Sequence, residues 1–189
     1  MKTTKKKKRG FVIYLLILIL IIIANFFISN SVDVKQELTI NANIDSTWQV
    51  MGTEFSDIYL WSTFFINSEA SGQKKFKEID YSSRVTLTAN GENTQVLDVF
   101  DSAAHSLSYH ITKGKPGIAK QASAVWSLVN LGENKTKAVL EFKMVTKGWM
   151  GLFMSGKIKS KVNSTANEIV RDLKYYLEEK KPHPNNLNK

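Results

Sequence analysis

Apolar and polar residues alternate along most of the chain between residues 34 and 145. The first alternating segment places Val34, Leu38, Ile40, Ala42 and Ile44 at even positions, with mostly polar residues between them. A period of two is typical of a strand that buries one face. We therefore expect the first strand here.

Two short helices are predicted directly after this strand. Asp45 or Ser46 is a candidate N-cap for a helix that ends near Gly52, and residues 56–57 (Ser-Asp) form a second candidate cap before Trp61. Each helix would have only about two turns, too few for stability in isolation. Both should therefore pack against the rest of the domain.

A series of alternating segments separated by turns follows the short helices. The predicted strands cover residues 64–69, 84–89, 95–100, 106–112, 121–131 and 136–145. The turns at 90–91 (Asn-Gly) and 132–134 (Gly-Glu-Asn) favour hairpins, so the strands should form an antiparallel meander. We expect an apolar face in two of these strands. It is formed by Val85 and Leu87 in the strand at 84–89, and by Leu97 and Val99 in the strand at 95–100.

A long amphipathic helix is predicted near the end of the chain. Its apolar stripe has helical spacing and consists of Ile158, Val162, Ala166, Ile169, Leu173 and Tyr176. A sheet with one apolar face needs a covering layer, and this helix is large enough to provide it. The pattern predicts an α+β fold, with a curved antiparallel sheet of about seven strands wrapped on the long helix and closed by the two short helices.

The start of the chain has a different pattern. Residues 11–28 are almost entirely apolar and follow six basic residues within positions 1–10. We expect a transmembrane anchor at 11–29, with residues 1–10 cytoplasmic and the domain extracytoplasmic. The alternative is export followed by signal cleavage, although the run exceeds the usual apolar region of a signal peptide and no Ala-x-Ala site follows. The expected divisions after the anchor are a linker at 30–36, the domain at 37–179 and a disordered tail at 180–189.

Charge and cysteine content narrow the function classes. The formal net charge is +9, and the basic residues of 1–10 and 180–189 account for all of it. A nucleic-acid-binding domain should carry its basic excess on the folded body, so this class is not favoured and no nucleic-acid partner is expected. The chain has no cysteine, which excludes disulfides and thiolate metal sites.

Candidate catalytic groups are few. His105 and His110 have no carboxylate at a spacing typical of acid–base chemistry, and no histidine pair has metal-ligand spacing. The Gly-Lys-Pro-Gly sequence at 114–117 matches no phosphate-binding loop. We therefore expect no cofactor, no metal and no catalytic residue, and a role other than enzymatic is favoured.

Several short motifs, in this order and spacing, resemble a known superfamily from about Glu37 to Leu177. They are IDSTWQV at 44–50, FSD at 55–57 with Trp61, SEASG at 68–72, RV at 84–85, the NG turn at 90–91, FD at 100–101, and SYHI at 108–111 ahead of Pro116. The sequence looks like the START-like helix-grip superfamily (SRPBCC), in its polyketide cyclase/dehydrase branch.

The resemblance implies a deep, mostly apolar cavity between the sheet and the long helix. Members bind lipids, sterols, polyketides or plant hormones, and some are cyclases. In Gln95, this chain has an amide where relatives often carry an inward glutamate, which weakens a cyclase assignment. The expected ligand-binding residues are Trp61, Phe65, Gln95, Tyr109, Trp126, Phe142, Met144, Ile158 and Val162, although an ordinary core has the same composition.

The expected function is a membrane-anchored protein that binds a hydrophobic small molecule or lipid in a central cavity. One alternative is a polyketide cyclase/dehydrase-like enzyme with Tyr109, His110 or Gln95 as polar participants. The other is a non-catalytic envelope interaction module, for which the interior should be solidly packed.

The segment GWMGLFMSG at 148–156 leads into the long helix and is apolar with regular glycines. The simpler interpretation is a strand-to-helix connection tucked over the core. The alternatives are a mobile lip over the cavity, or a patch that dips into a membrane.

Overall fold

Seven antiparallel strands form a single sheet in the computed structural model, which describes residues 3–181. Their order across the sheet is β1-β7-β6-β5-β4-β3-β2. The strands are β1 Ser29–Ile40, β2 Asn67–Ser71, β3 Ser83–Thr88, β4 Gly91–Asp101, β5 Ser106–Lys113, β6 Ala119–Gly132 and β7 Lys135–Lys147. The expected meander from β2 to β7 is confirmed, and β1 completes the sheet by pairing with β7.

Four α-helices accompany the sheet: α1 Thr3–Phe27, α2 Ile44–Trp48, α3 Gly148–Phe153 and α4 Ser155–Glu179. A π-helical turn at Gln49–Thr53 and a 3-10 helix at Phe55–Leu60 follow α2. The N-cap of α2 is Asn43 rather than Asp45 or Ser46, because the Asn43 side chain accepts a 2.7 Å hydrogen bond from the amide of Ser46. The helix therefore begins earlier than expected.

The expected linker at 30–36 is wrong. These residues belong to β1, which pairs with β7 from Ser29 opposite Lys147 to Ile40 opposite Thr136. Val32 and Val34 are buried, so the even-numbered apolar face of β1 extends further toward the N-terminus than the sequence pattern predicts. The sheet thus begins at Ser29, eight positions before the expected domain boundary.

The expected inner faces of β3 and β4 also need correction. In β3 the buried side chains are those of Ser83, Arg84, Thr86 and Thr88, while Leu87 is 41% exposed. In β4 the register against β5 shifts between Leu97 and Val99. This irregularity turns Val99 outward and leaves Phe100 buried, because an extra residue reverses the alternation of a strand. The interior of this part of the sheet is therefore partly polar.

The core lies between the sheet and α4, which packs on β1 and β7. Ala166, Val170 and Leu173 are buried on the inner face of α4. Asp172 fixes the helix to the chain before β2, since its carboxylate accepts hydrogen bonds of 2.6 and 2.7 Å from the amide and hydroxyl of Thr63. The α+β helix-grip arrangement expected from the sequence is confirmed.

The N-terminal helix α1 covers most of the predicted anchor. Within residues 3–181, no helix is both long enough and apolar enough to cross a membrane. The transmembrane prediction at 11–29 therefore has no support from the structure, and Ser29 already belongs to β1. Residues 1–2 of the expected basic segment and residues 182–189 of the expected tail lie outside the described residues.

Residues 148–156 form α3 and the start of α4, and they are not tucked over the core. Trp149 is 44% exposed and Phe153 is 80% exposed. The simpler interpretation of this segment is therefore wrong.

Candidate functional site

A fully buried arginine lies in the polar part of the interior. Arg84 is only 2% exposed and stands opposite Gln95 in the β3–β4 hairpin. Its Nε donates a 2.8 Å hydrogen bond to Oε1 of Gln95, and an Nη1 hydrogen donates to the carbonyl of Phe55. The guanidinium carbon lies 3.8 Å from the centre of the Phe55 ring. The 3-10 helix and the sheet therefore meet at this guanidinium.

Neighbouring strands add a second polar layer to the site. The β5 residue Tyr109 is paired with Leu97 of β4 and Ala124 of β6, which points its side chain inward. Its ring centre lies 5.3 Å from the guanidinium carbon of Arg84, and its side chain hydrogen-bonds with those of Arg84 and Trp126. A phenol and an amide thus contact the buried cation, and an indole contacts the phenol.

The electrostatics of this site are unusual because the cation has no anionic partner. Among residues 3–181, no carboxylate forms an ion pair with Arg84. Burial lowers the pKa of Arg84 to about 10, and the nearby Tyr109 and Tyr81 partly oppose this. Arg84 therefore stays charged at neutral pH. Burial also raises the pKa of Tyr109, against the opposing effect of Arg84, so the phenol stays protonated and can donate.

Two further buried donors near the polar face have no protein partner. Thr86 follows Arg84 on the same face of β3, and its Oγ1 makes no hydrogen bond. The indole Nε1 of Trp61 is buried and also without a partner.

The structure brings together four of the nine predicted binding residues. Phe65, Gln95 and Tyr109 lie around Arg84, with the Phe65 ring centre 5.8 Å from the guanidinium carbon, and Trp126 joins them through its hydrogen bond with Tyr109. The other five belong to the surrounding core: Trp61 and Met144 are buried, and Phe142, Ile158 and Val162 are half-buried against it.

The residue that sequence reasoning missed is Arg84 itself. The sequence does contain a signal for its position. The turn at Asn90-Gly91 pairs Thr88 with Gly91, and the same register pairs Arg84 with Gln95. The apolar residues Val85 and Leu87 gave the stronger alternation, and they mark the outer face.

Other candidate chemistry lies away from this site. His110 contacts Asp98 at 2.7 Å on a half-exposed surface, so its proposed participation with Tyr109 is not supported by position. Across the described part of the chain, no group of histidine and carboxylate side chains could hold a metal ion.

Two open clefts lie on the surface of the domain. One, of about 770 Å³, is lined by Asn41, Ala42, Asn43, Asp45, Ser46, Gln49, Val50, Asn134, Tyr176, Leu177 and Lys180. The other, of about 370 Å³, is lined by Thr63, Ser164, Asn167, Glu168, Arg171, Asp172 and Tyr175. None of the nine predicted binding residues lines either cleft. Next to Arg84, the rings of Phe55 and Tyr109 occupy the interior.

No family model matches the sequence, and no curated protein matches it. Solved structures do share the fold. A START superfamily protein from Mycobacterium smegmatis is 12% identical, with a TM-score of 0.61 over 78% of this chain and 97% of that one. Ara h 8.0201 is 16% identical, with a TM-score of 0.58 over 79% of this chain and 99% of that one.

The di-domain ARO/CYC BexL, from the BE-7585A biosynthetic pathway, is 14% identical with a TM-score of 0.64. The match covers 77% of this chain and 46% of BexL, so the chain spans about half of that protein. At these identities the likeness concerns the fold alone. The fold of START-superfamily proteins, expected from the sequence motifs, is thereby confirmed.

Proposed function

We propose that the protein binds a small, largely apolar molecule whose carbonyl or carboxylate oxygen pairs with Arg84. The observation that carries this proposal is the buried guanidinium without a carboxylate partner. Burying an unpaired charge is costly, and that cost persists in the free protein. A ligand oxygen would offset it, and guanidinium is well suited to binding planar oxygen groups.

The surroundings of Arg84 favour a flat ligand. The Phe55 ring already stacks on the guanidinium at 3.8 Å, which shows that this face accommodates an aromatic plane. Because Phe55 and Tyr109 fill the adjacent space, a bound ligand takes the place of at least one of these rings. The hydroxyl of Tyr109 supplies a further donor for a ligand oxygen.

Binding is favoured over catalysis. A cyclase needs a group that removes a proton, and the raised pKa of Tyr109 keeps that phenol in its donor form at neutral pH. Gln95 cannot act as a base. The cyclase alternative draws its support from the fold shared with the ARO/CYC BexL, and it predicts turnover of a polyketide-like substrate that depends on the Tyr109 hydroxyl.

The ligand can be identified by native mass spectrometry of the full-length chain, followed by solvent extraction. The matched variants are Arg84→Met and Arg171→Met, since Arg171 is exposed on α4. We expect a defined molecule on the wild type and on Arg171→Met, and its loss from Arg84→Met. An empty protein in every sample would contradict the proposal and favour the interaction-module alternative. Equal loading of Arg84→Met would contradict the pairing of the ligand with Arg84.

We also propose that α1 holds the domain at a membrane. Every side chain from Phe11 to Ile23 is apolar and at least 43% exposed in the described chain, and so large an apolar surface requires a cover. Flotation with vesicles tests the association, and protease protection in cells tests the orientation. Sequencing the N-terminus of the cellular protein tests the alternative, signal cleavage.

A further inference from the structure

We propose that α3 and the first turns of α4 form a second contact with an anionic lipid bilayer, beside the end of α1. This inference rests on the membrane association proposed for α1. The contact surface, called here the α3 patch, consists of Trp149, Met150, Leu152, Phe153 and Met154, and these five side chains are 40–80% exposed.

The α3 patch is held rigidly with its apolar side outward. Gly151, on the opposite side of α3, is buried so close to β7 that a Cβ there would lie 2.6 Å from Oγ1 of Thr146. The rings of Trp149 and Phe153 stack with centres 6.3 Å apart. The patch is therefore a preformed surface, and its exposure follows from how α3 is seated on the sheet.

The α3 patch is continuous with the end of α1. The amide of Trp149 donates a 2.9 Å hydrogen bond to Oδ1 of Asn25 in α1. The amide of Gly148 donates at 2.9 Å to the carbonyl of Ile28, just after α1. These bonds place α3 where the apolar part of α1 ends. If α1 lies in lipid, α3 therefore lies at the level of the headgroups, where tryptophan is favoured.

The charge around the α3 patch fits an anionic surface. Exposed lysines at 147, 157, 159 and 161 lie within seven residues of it in sequence, and no acidic residue occurs between Glu141 and Glu168. The basic and acidic side chains of residues 11–179 balance one another, so with these lysines set aside the rest of the body is acidic and the concentration of positive charge is local. Lysines beside exposed aromatic and apolar side chains are typical of elements that lie in a membrane interface. A protein partner or a second copy of the chain would cover the apolar side chains without requiring the surrounding positive charge.

The test uses the fluorescence of Trp149 in the full-length chain reconstituted into vesicles. Trp48, Trp61 and Trp126 are buried, so Trp149 is the exposed indole of the four. Vesicles contain brominated phosphatidylcholine, which quenches nearby indoles, with or without phosphatidylglycerol. We expect the brominated lipid to quench part of the tryptophan fluorescence of the wild type, and to quench more of it when phosphatidylglycerol is present. This quenched part should be lost in Trp149→Phe. Changing Lys157, Lys159 and Lys161 together to Gln should remove the dependence on phosphatidylglycerol.

The outcomes separate the two membrane proposals. Flotation with quenching of Trp149 supports both. Flotation without quenching, with Trp149 still open to aqueous acrylamide, overturns the α3 contact and leaves the α1 association standing. Failure to float overturns both. Trp149 could also be protected from acrylamide in the absence of lipid, to a degree that rises with protein concentration. That result also overturns the α3 contact, because it assigns the patch to a second copy of the chain.

Discussion

Replacing Gln95 with Leu should destabilise the protein, because it removes the side-chain hydrogen-bond partner of the buried Arg84 cation. In the native protein, Oε1 of Gln95 accepts from Nε of Arg84 at 2.8 Å with both side chains buried. At about 1.4 kcal/mol per pKa unit, the lowering of the Arg84 pKa from 12.5 to about 10 disfavours the folded cation by about 3 kcal/mol even with this partner present. Removing a partner of a buried charge typically costs about 3 kcal/mol more, so we expect that loss for Gln95→Leu.

The double variant Arg84→Met, Gln95→Leu should be more stable than Gln95→Leu alone. Arg84→Met removes the buried charge but leaves the oxygens of Gln95 and Phe55 without a donor, each at about 1–3 kcal/mol. We therefore expect Arg84→Met alone to cost about 2 kcal/mol. In the double variant the Phe55 carbonyl and Oδ1 of Asn93, which accepts from Nε2 of Gln95 at 3.0 Å, lose their donors. Because the Asn93 loss is common to both variants and the buried charge is gone, the stability of the double variant should exceed that of Gln95→Leu by about 1 kcal/mol.

Urea unfolding of the full-length chain in a non-ionic detergent, followed by tryptophan fluorescence, measures these differences. The four proteins form a double-mutant cycle, and groups in direct contact usually show a coupling of about 0.5–3 kcal/mol. Arg171→Met is the matched control and should change stability by less than about 0.5 kcal/mol. If the losses of the two single variants simply add, the buried cation and its amide do not act as a unit, and the reasoning fails.

Three further outcomes follow from the structure. Because burial raises the pKa of Tyr109, the difference in tyrosinate absorbance between wild type and Tyr109→Phe should reach its midpoint at a higher pH than the ionisation of free tyrosine; a midpoint at or below that of free tyrosine would contradict this. Gly148→Ala should lower stability by about 1–2 kcal/mol in thermal unfolding, since Gly148 has φ +70° and a Cβ would lie 2.6 Å from the side-chain oxygen Oδ1 of Asn25 in α1. Gly132→Ala should lower stability by less, because Gly132 has φ +76° but open space around it. Asp172→Ala should cost about 2–3 kcal/mol in urea unfolding, because it removes the acceptor of two hydrogen bonds from Thr63; a loss below 0.5 kcal/mol would show that this connection does not hold α4.

Much of the fold could be predicted from the sequence because its signals are local. The Asn90-Gly91 turn and the alternation around Tyr109 directly reflect hairpins and buried faces. The 3.6-residue stripe from Ile158 to Tyr176 likewise reflects the covering helix. These patterns depend on neighbours in sequence, so no long-range information was needed.

The polar centre of the site could not be predicted in the same way. Arg84 is buried only because Gln95, the Phe55 carbonyl and Tyr109 meet it from other elements, and alternation alone assigns arginine to the outer face. A local pattern is overridden where a polar network replaces apolar packing, which is typical of functional sites.

The pairing of β1 with β7 also determines when the domain can form during synthesis. Ile40 and Thr136, which pair across these strands, are separated by most of the domain's length. At a synthesis rate of about 5–20 residues per second, β1 waits roughly 5–20 s for its partner to be made. Throughout that interval its backbone has no β7 to pair with, and its apolar side chains, Val32, Val34 and Ile40, have no α4 to cover them. The newly made N-terminal half is therefore the state of this protein in which chaperone protection would matter most.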